Sequence, residues 1–244
     1  MTALSSISDS LVQSLDLELP PVALARAAAP PSGVREFQGI VPSSCAFWRR
    51  AEQEVFYASA AQHFRCPVGA MVMGFDLPDP VKDELMQLVG VMVETGYMQT
   101  SEPPRIPHLD GGAPKTGVVY GPLQRFPITP EFVLLWVTPR QAMLLTESSG
   151  SCHWTTSEPA GVAGRPACAA IPLAASRQAS VLSLGCTGMR TYTEIAPERA
   201  LAVIPYAALS SLAGRLTRMS AVNGVIGSFH AARKAAVPKD QQDR

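Results

Sequence analysis

An α/β fold, or an α+β one, assembled from two pseudo-symmetric half-domains by internal duplication, is what this 244-residue sequence predicts. Three observations carry that expectation. Apolar runs of β type alternate with amphipathic helical runs, the pattern of sheet and helix layers. The same order of segments occurs twice along the chain. Hydrophobic residues make up 47% of the composition, enough for a sizeable core.

Residues 1–18 read as an amphipathic helix, with Leu4, Ile7, Leu11 and Leu15 at helical spacing. The first half-domain, 19–99, opens on LPPVALA (19–25), a proline-led apolar run that reads as a strand. Ser43-Ser44-Cys45-Ala46-Phe47 places a cysteine among small residues at the start of a helix. Val55-Phe56-Tyr57 is a short β-type run, and Cys66-Pro67-Val68-Gly69-Ala70-Met71 follows it. An amphipathic helix then carries Leu85, Leu88, Val89 and Met92.

Residues 100–129 are rich in Pro and Gly and read as the connection between halves, with Gly117-Val118-Val119-Tyr120 as an edge strand inside it. The second half-domain, 130–236, repeats the script. A strand covers Phe132 to Val137, and Pro166-Ala167-Cys168-Ala169-Ala170 again sets a cysteine among small residues. Ser180 to Leu184 is the β-type run before Gly185-Cys186-Thr187-Gly188-Met189. A strand over Ala200 to Ile204 precedes two helical stretches, Tyr206 to Leu216 and Ala221 to Ala236, and residues 237–244 form a charged tail. The spacing from Cys45 to Cys66 is 21 residues and from Cys168 to Cys186 is 18, so duplication pairs Cys45 with Cys168 and Cys66 with Cys186.

Composition removes several function classes. Lys plus Arg equals Asp plus Glu at 20 each. A neutral chain lacks the basic field that a general nucleic-acid binder or a polybasic membrane binder needs. No apolar run approaches the roughly 20 residues of a membrane span. The N-terminal stretch has acids and no basic start, unlike a secretory signal. The expectation is a cytoplasmic protein whose five cysteines are reduced. The P-loop, G-x-G-x-x-G, H-E-x-x-H, G-x-S-x-G and C-x-x-C patterns are all missing.

The chemistry therefore falls to Cys45, Cys66, Cys168 and Cys186. Four converging thiolates suit zinc or an iron–sulfur cluster. Fewer of them could hold a small organic ligand or act as nucleophile in a cleft between halves, with Lys115, Arg190 and Tyr192 binding its anionic or cofactor group. Buried, inert cysteines in a scaffold are the third alternative. The implied partner is a small-molecule ligand or a redox protein; whether the chain is an enzyme is left open by the residues. His63 stands three before Cys66, as a ligand or, more simply, as a surface or capping residue. Cys152-His153-Trp154 sits in a polar loop, and His230 on a helix. Met71, Met73, Met86, Met92 and Met98 read as helix core.

The strings HFRCPVGAMVMGFDLP (63–78), VVYGPL (118–123), RPACAAIP (165–172) and LSLGCTGMRTYTE (182–194) resemble the bacterial and archaeal family called domain of unknown function 169. The resemblance extends from Leu17 to Lys234 and takes in the late FHAARK helix (229–234). It implies no activity, because none is established for the family. It places Cys45, Cys66, Cys168 and Cys186 within family motifs and Cys152 outside them. Met189 departs from the polar residue, such as Asn, expected at that position.

Overall fold

The structure, a computed structural model, describes residues 3–99, 106–110, 116–148, 161–163 and 165–237. The strands are β1 (Val22–Ala27), β2 (Phe56–Ser59), β3 (Gly117–Pro122), β4 (Phe132–Val137), β5 (Gly161–Ala163), β6 (Val181–Ser183) and β7 (Ala200–Pro205). They form one sheet in the order β2-β3-β1-β4-β7-β6-β5, antiparallel throughout except for the parallel β5–β6 pair.

Alternation along the strands gives the sheet two buried faces. Phe132, Leu134 and Trp136 of β4 enter one apolar cluster with Leu24, Phe56, Tyr120 and Val203. Val133, Leu135 and Val137 enter the other with Ala23, Val119 and Ile204. The first face is covered by short elements: α2 (Ala46–Arg50), α3 (Ala60–His63), α4 (Pro67–Val72), a 3-10 turn (Ala167–Ala169), α7 (Ala170–Arg177) and α8 (Thr187–Thr193), with α5 (Asp79–Glu94) packed outside α4. The second face is covered by α1 (Ala3–Leu15), α6 (Pro139–Ser148) and α9 (Tyr206–Ala235). On α1, Leu11 and Leu15 are buried and Leu4 and Ile7 pack against the same cluster, as the helical spacing predicts.

The sheet grows outward from its central β1–β4 pair in matching order: β1, β3, β2 on one side and β4, β7, β6 on the other. That order accords with two half-domains. It does not by itself establish a duplicated origin. The centre is clasped by a polar contact. Arg26 of β1 donates from Nε to Oε2 of Glu131 at 3.1 Å and from Nη2 to Oε1 at 3.3 Å, and from Nη1 to the Asp110 carbonyl at 2.8 Å.

Several sequence expectations shift. Gly117–Pro122 is not an edge strand; β3 pairs with β1 on one side and β2 on the other, so the stretch 100–129 contains a central strand of the first half. Its continuous run Gly-Val-Val-Tyr-Gly-Pro is buried at every position, which removes the alternation that marks a half-exposed strand. The two late helical stretches are one helix, α9, because nothing between Leu216 and Ala221 breaks it. Met86 is exposed at 48% and is not core. Among the described residues no helix is long and apolar enough to cross a membrane. Lys115 and Cys152 lie outside the described residues.

The Arg26 clasp yields a stability expectation. Arg26→Ala removes charge-assisted bonds from a largely buried guanidinium and strands the Glu131 carboxylate, which costs about 1–3 kcal/mol. Urea unfolding measures this. Arg26→Lys recovers only part of the loss, because an ammonium cannot make the paired contact. Equal stability of Arg26→Ala and the parent chain would show that the clasp holds nothing.

Candidate functional site

Each of the four cysteines lies at or near the start of a short element on one face of the sheet. Cys45 is the N-cap of α2, Cys66 of α4 and Cys186 of α8, while Cys168 is the middle residue of the 3-10 turn before α7. Cys66 and Cys186 cap in the same manner. The Sγ of each accepts the backbone N–H three residues on, from Gly69 and from Met189, both at 3.4 Å.

Packing then joins the halves through these elements. α2 rests on α8, so the helix begun by Cys45 meets the helix begun by Cys186. α4 rests on the turn that carries Cys168. Close approach depends on small residues. A Cβ on Gly69 would lie 2.8 Å from Cβ of Ser44 and 3.1 Å from the Cys66 sulfur, so the Cys45 loop and the Cys66 helix touch only because position 69 is glycine.

Burial acts first on the thiols, and the thiols act on one another. Burial pushes the Cys45 thiol up to about 11, a bond from Ser43 opposes this, and Cys66 and Cys186 raise it further. The Ser43 hydroxyl lies 3.1 Å from Sγ of Cys45. Cys168 is driven well above the ordinary thiol range, first by burial and then by Cys66, Cys186 and Cys45. As a whole residue Cys168 keeps intermediate exposure. Its sulfur nevertheless behaves as a desolvated group, and the sulfur decides the chemistry. Cys66 and Cys186 are partly exposed. Among the described residues, no group of three or more His, Cys, Asp or Glu stands in position to hold a single metal ion.

The other candidates sort differently. His63 is fully buried. Its Nδ1 lies 2.7 Å from the Ser59 carbonyl and its Nε2 3.0 Å from the Tyr120 hydroxyl, so both nitrogens are engaged. The surface or capping expectation for His63 is thereby corrected: Ser59 and Tyr120 hold it inside an aromatic cluster with Phe47 and Phe75. The Arg190 guanidinium donates to the carbonyls of Leu184, Pro197 and Arg199, closing the loop around Cys186. Tyr192 is 44% exposed on the outer side of α8, where its ring faces Gly188. His230 is exposed near the far end of α9. A shallow cleft of about 290 Å³ does open between the halves, lined by Arg26, Asp110, Glu131, Gln178 and Tyr206 among others; no cysteine lines it.

Two residues near the thiols carry no sequence signal of their own. Tyr120, buried in β3, has its hydroxyl pushed above the ordinary range, first by burial and then by Cys168, Cys45 and Cys66. Ser43 is one serine of a polar loop until the fold turns it onto Cys45.

The family model of domain of unknown function 169, described as an uncharacterised ArCR, matches residues 10–215. The chain belongs to that family. All four cysteines fall inside the matched residues, whereas the FHAARK segment lies beyond them. No match was found among curated proteins or among solved structures.

Two expectations follow from burial. His63 is lowered from 6.5 to about 4 by burial, with its bond to Ser59 opposing. Between those values the unfolded chain binds a proton that the folded chain refuses. Stability is therefore whole above about pH 6.5 and is lost as pH falls toward 4, by up to about 3 kcal/mol. Urea unfolding across this window should show a steeper decline for the parent than for His63→Gln; equal slopes would refute the assignment. In reduced, metal-free protein at neutral pH, iodoacetamide should label Cys66 and Cys186 well before Cys45 and Cys168. Peptide mass mapping reads the order, and early labelling of Cys45 or Cys168 would contradict the burial described above.

Proposed function

We propose that Cys45, Cys66, Cys168 and Cys186 together hold an iron–sulfur cluster and that the protein serves a redox or cofactor-handling role. One observation carries the reading: the cysteine-capped elements of one half pack on the cysteine-bearing elements of the other, α2 on α8 and α4 on the Cys168 turn. Four thiols from distant segments are thereby gathered on one face of the sheet. Inert core cysteines need no such gathering.

Four thiolates suit zinc or an iron–sulfur cluster. Among the described residues no three or more His, Cys, Asp or Glu stand in position to hold a metal ion, so the cysteine-bearing elements would have to close on either one. The redox reading rests on a cluster. When bound it would supply one-electron transfer. The chain's own part is to set the environment. The amides of Gly69 and Met189 bond the sulfurs of Cys66 and Cys186, and hydrogen bonds to ligand sulfurs tune reduction potential. The apolar cluster beneath excludes water from Cys45 and Cys168.

Iron, zinc and acid-labile sulfide should be measured on protein purified without oxygen, together with its visible and electron paramagnetic resonance spectra. Iron and sulfide in comparable amounts, lost in Cys66→Ser and in Cys186→Ser, are expected. One zinc per chain, or no metal after anaerobic reconstitution with all four thiols titratable, would overturn the cluster.

A further inference from the structure

α9 is 30 residues long, yet its buried side chains end at Leu216. Beyond that point Val222, Val225, Ile226 and Phe229 are 53, 70, 49 and 56% exposed. Their spacing of three and four residues sets them in one stripe. Arg218 and Arg233 are exposed at the two ends of this stripe and on the same side, and α9 contains no Asp or Glu.

α5 offers the complement. Its one buried residue is Val89. Asp83, Glu84 and Glu94 are exposed beside Met86 and Val91, and among the described residues nothing lies near the would-be Cβ of Gly90. Fifteen residues separate Asp79 from Glu94, and fifteen separate Arg218 from Arg233. Acids on one helix and arginines on the other are thus equally far apart, about 22 Å along the axis. Asp79 also pairs with Lys82, an exposed contact of little strength. α5 and α9 belong to layers on opposite faces of the sheet.

We propose that the protein forms a two-fold dimer in which the distal turns of α9 from each copy dock on α5 of the other. A second copy fits better than an anionic bilayer. A helix lying on a bilayer carries its cations along a polar flank, whereas these arginines bracket the apolar stripe on its own face. A two-fold axis satisfies both contacts at once, since residue i meets j and j meets i. The α9 tip lies outside the residues matched by the family model, and this inference does not depend on the cysteine reading.

Sedimentation velocity on the full chain tests it, at low and at high salt. The parent should be a dimer that weakens as salt rises. Arg218→Glu with Arg233→Glu, and separately Asp79→Lys with Glu94→Lys, should each weaken it at least tenfold. Combining all four changes in one chain should restore it, because the charges are exchanged between complementary surfaces. Circular dichroism verifies that each variant is folded. A parent that stays monomeric, a dimer indifferent to both pairs of changes, or failure of the combined chain to recover would overturn the proposal. So would a monomeric parent that floats with phosphatidylserine vesicles.

Discussion

The pairing of β1 with β4 is the contact on which the rest depends. It is brief: Val22, Ala23 and Leu24 face Leu134, Val133 and Phe132. Yet it fuses a three-stranded and a four-stranded array into one sheet and gives the chain two continuous apolar faces. Neither array alone would bury both faces of its own edge strand. Arg26 and Glu131 sit at this seam, and the Arg26 backbone N–H also donates to the Glu131 carboxylate at 3.0 Å. A charged pair suits a seam because it fixes register where apolar contacts are nearly interchangeable along the strand.

The seam also explains why the cysteine-bearing elements meet. In each half the short elements leave the sheet on the same face, and the β1–β4 pairing sets those faces side by side. The crossing contacts, α2 with α8 and α4 with the Cys168 turn, follow from that placement. Beneath them Tyr120 stacks on Phe47 and Phe56 and spends its hydroxyl on His63. The buried tyrosine and the buried histidine satisfy each other.

The strands with strong apolar runs, β1, β4 and β7, and the helix α1 were legible in the sequence because period and composition agreed. The matched cysteine segments were legible too, since each stood between small residues before a helix. What was not legible depended on tertiary contact. β3 reads as an edge because nothing in Gly117–Pro122 reports that strands flank it on both sides. His63 reads as a surface group because its acceptors, the Ser59 carbonyl and Tyr120, are assigned only by folding. Arg190 reads as an anion site by charge alone; three backbone carbonyls claim it.

The two halves of the site are not equivalent, and the difference bears on its chemistry. Beside Cys66 the space at position 69 is filled by Ser44, and Ser43 bonds Cys45, so this side is hydroxyl-lined. Beside Cys186 the corresponding third residue is Met189, which is 2% exposed and belongs to the apolar cluster. Room for it comes from Gly185, at φ +93°, where a Cβ would lie 2.3 Å from the methionine methyl. A polar residue at 189 would have to find a partner in that apolar setting or leave it. Methionine instead seals this side. A pair of thiols that share a fold position but differ in polarity present unlike environments to anything bound between them, and polarity around a ligand sulfur is one of the means by which a protein sets the potential of what it holds.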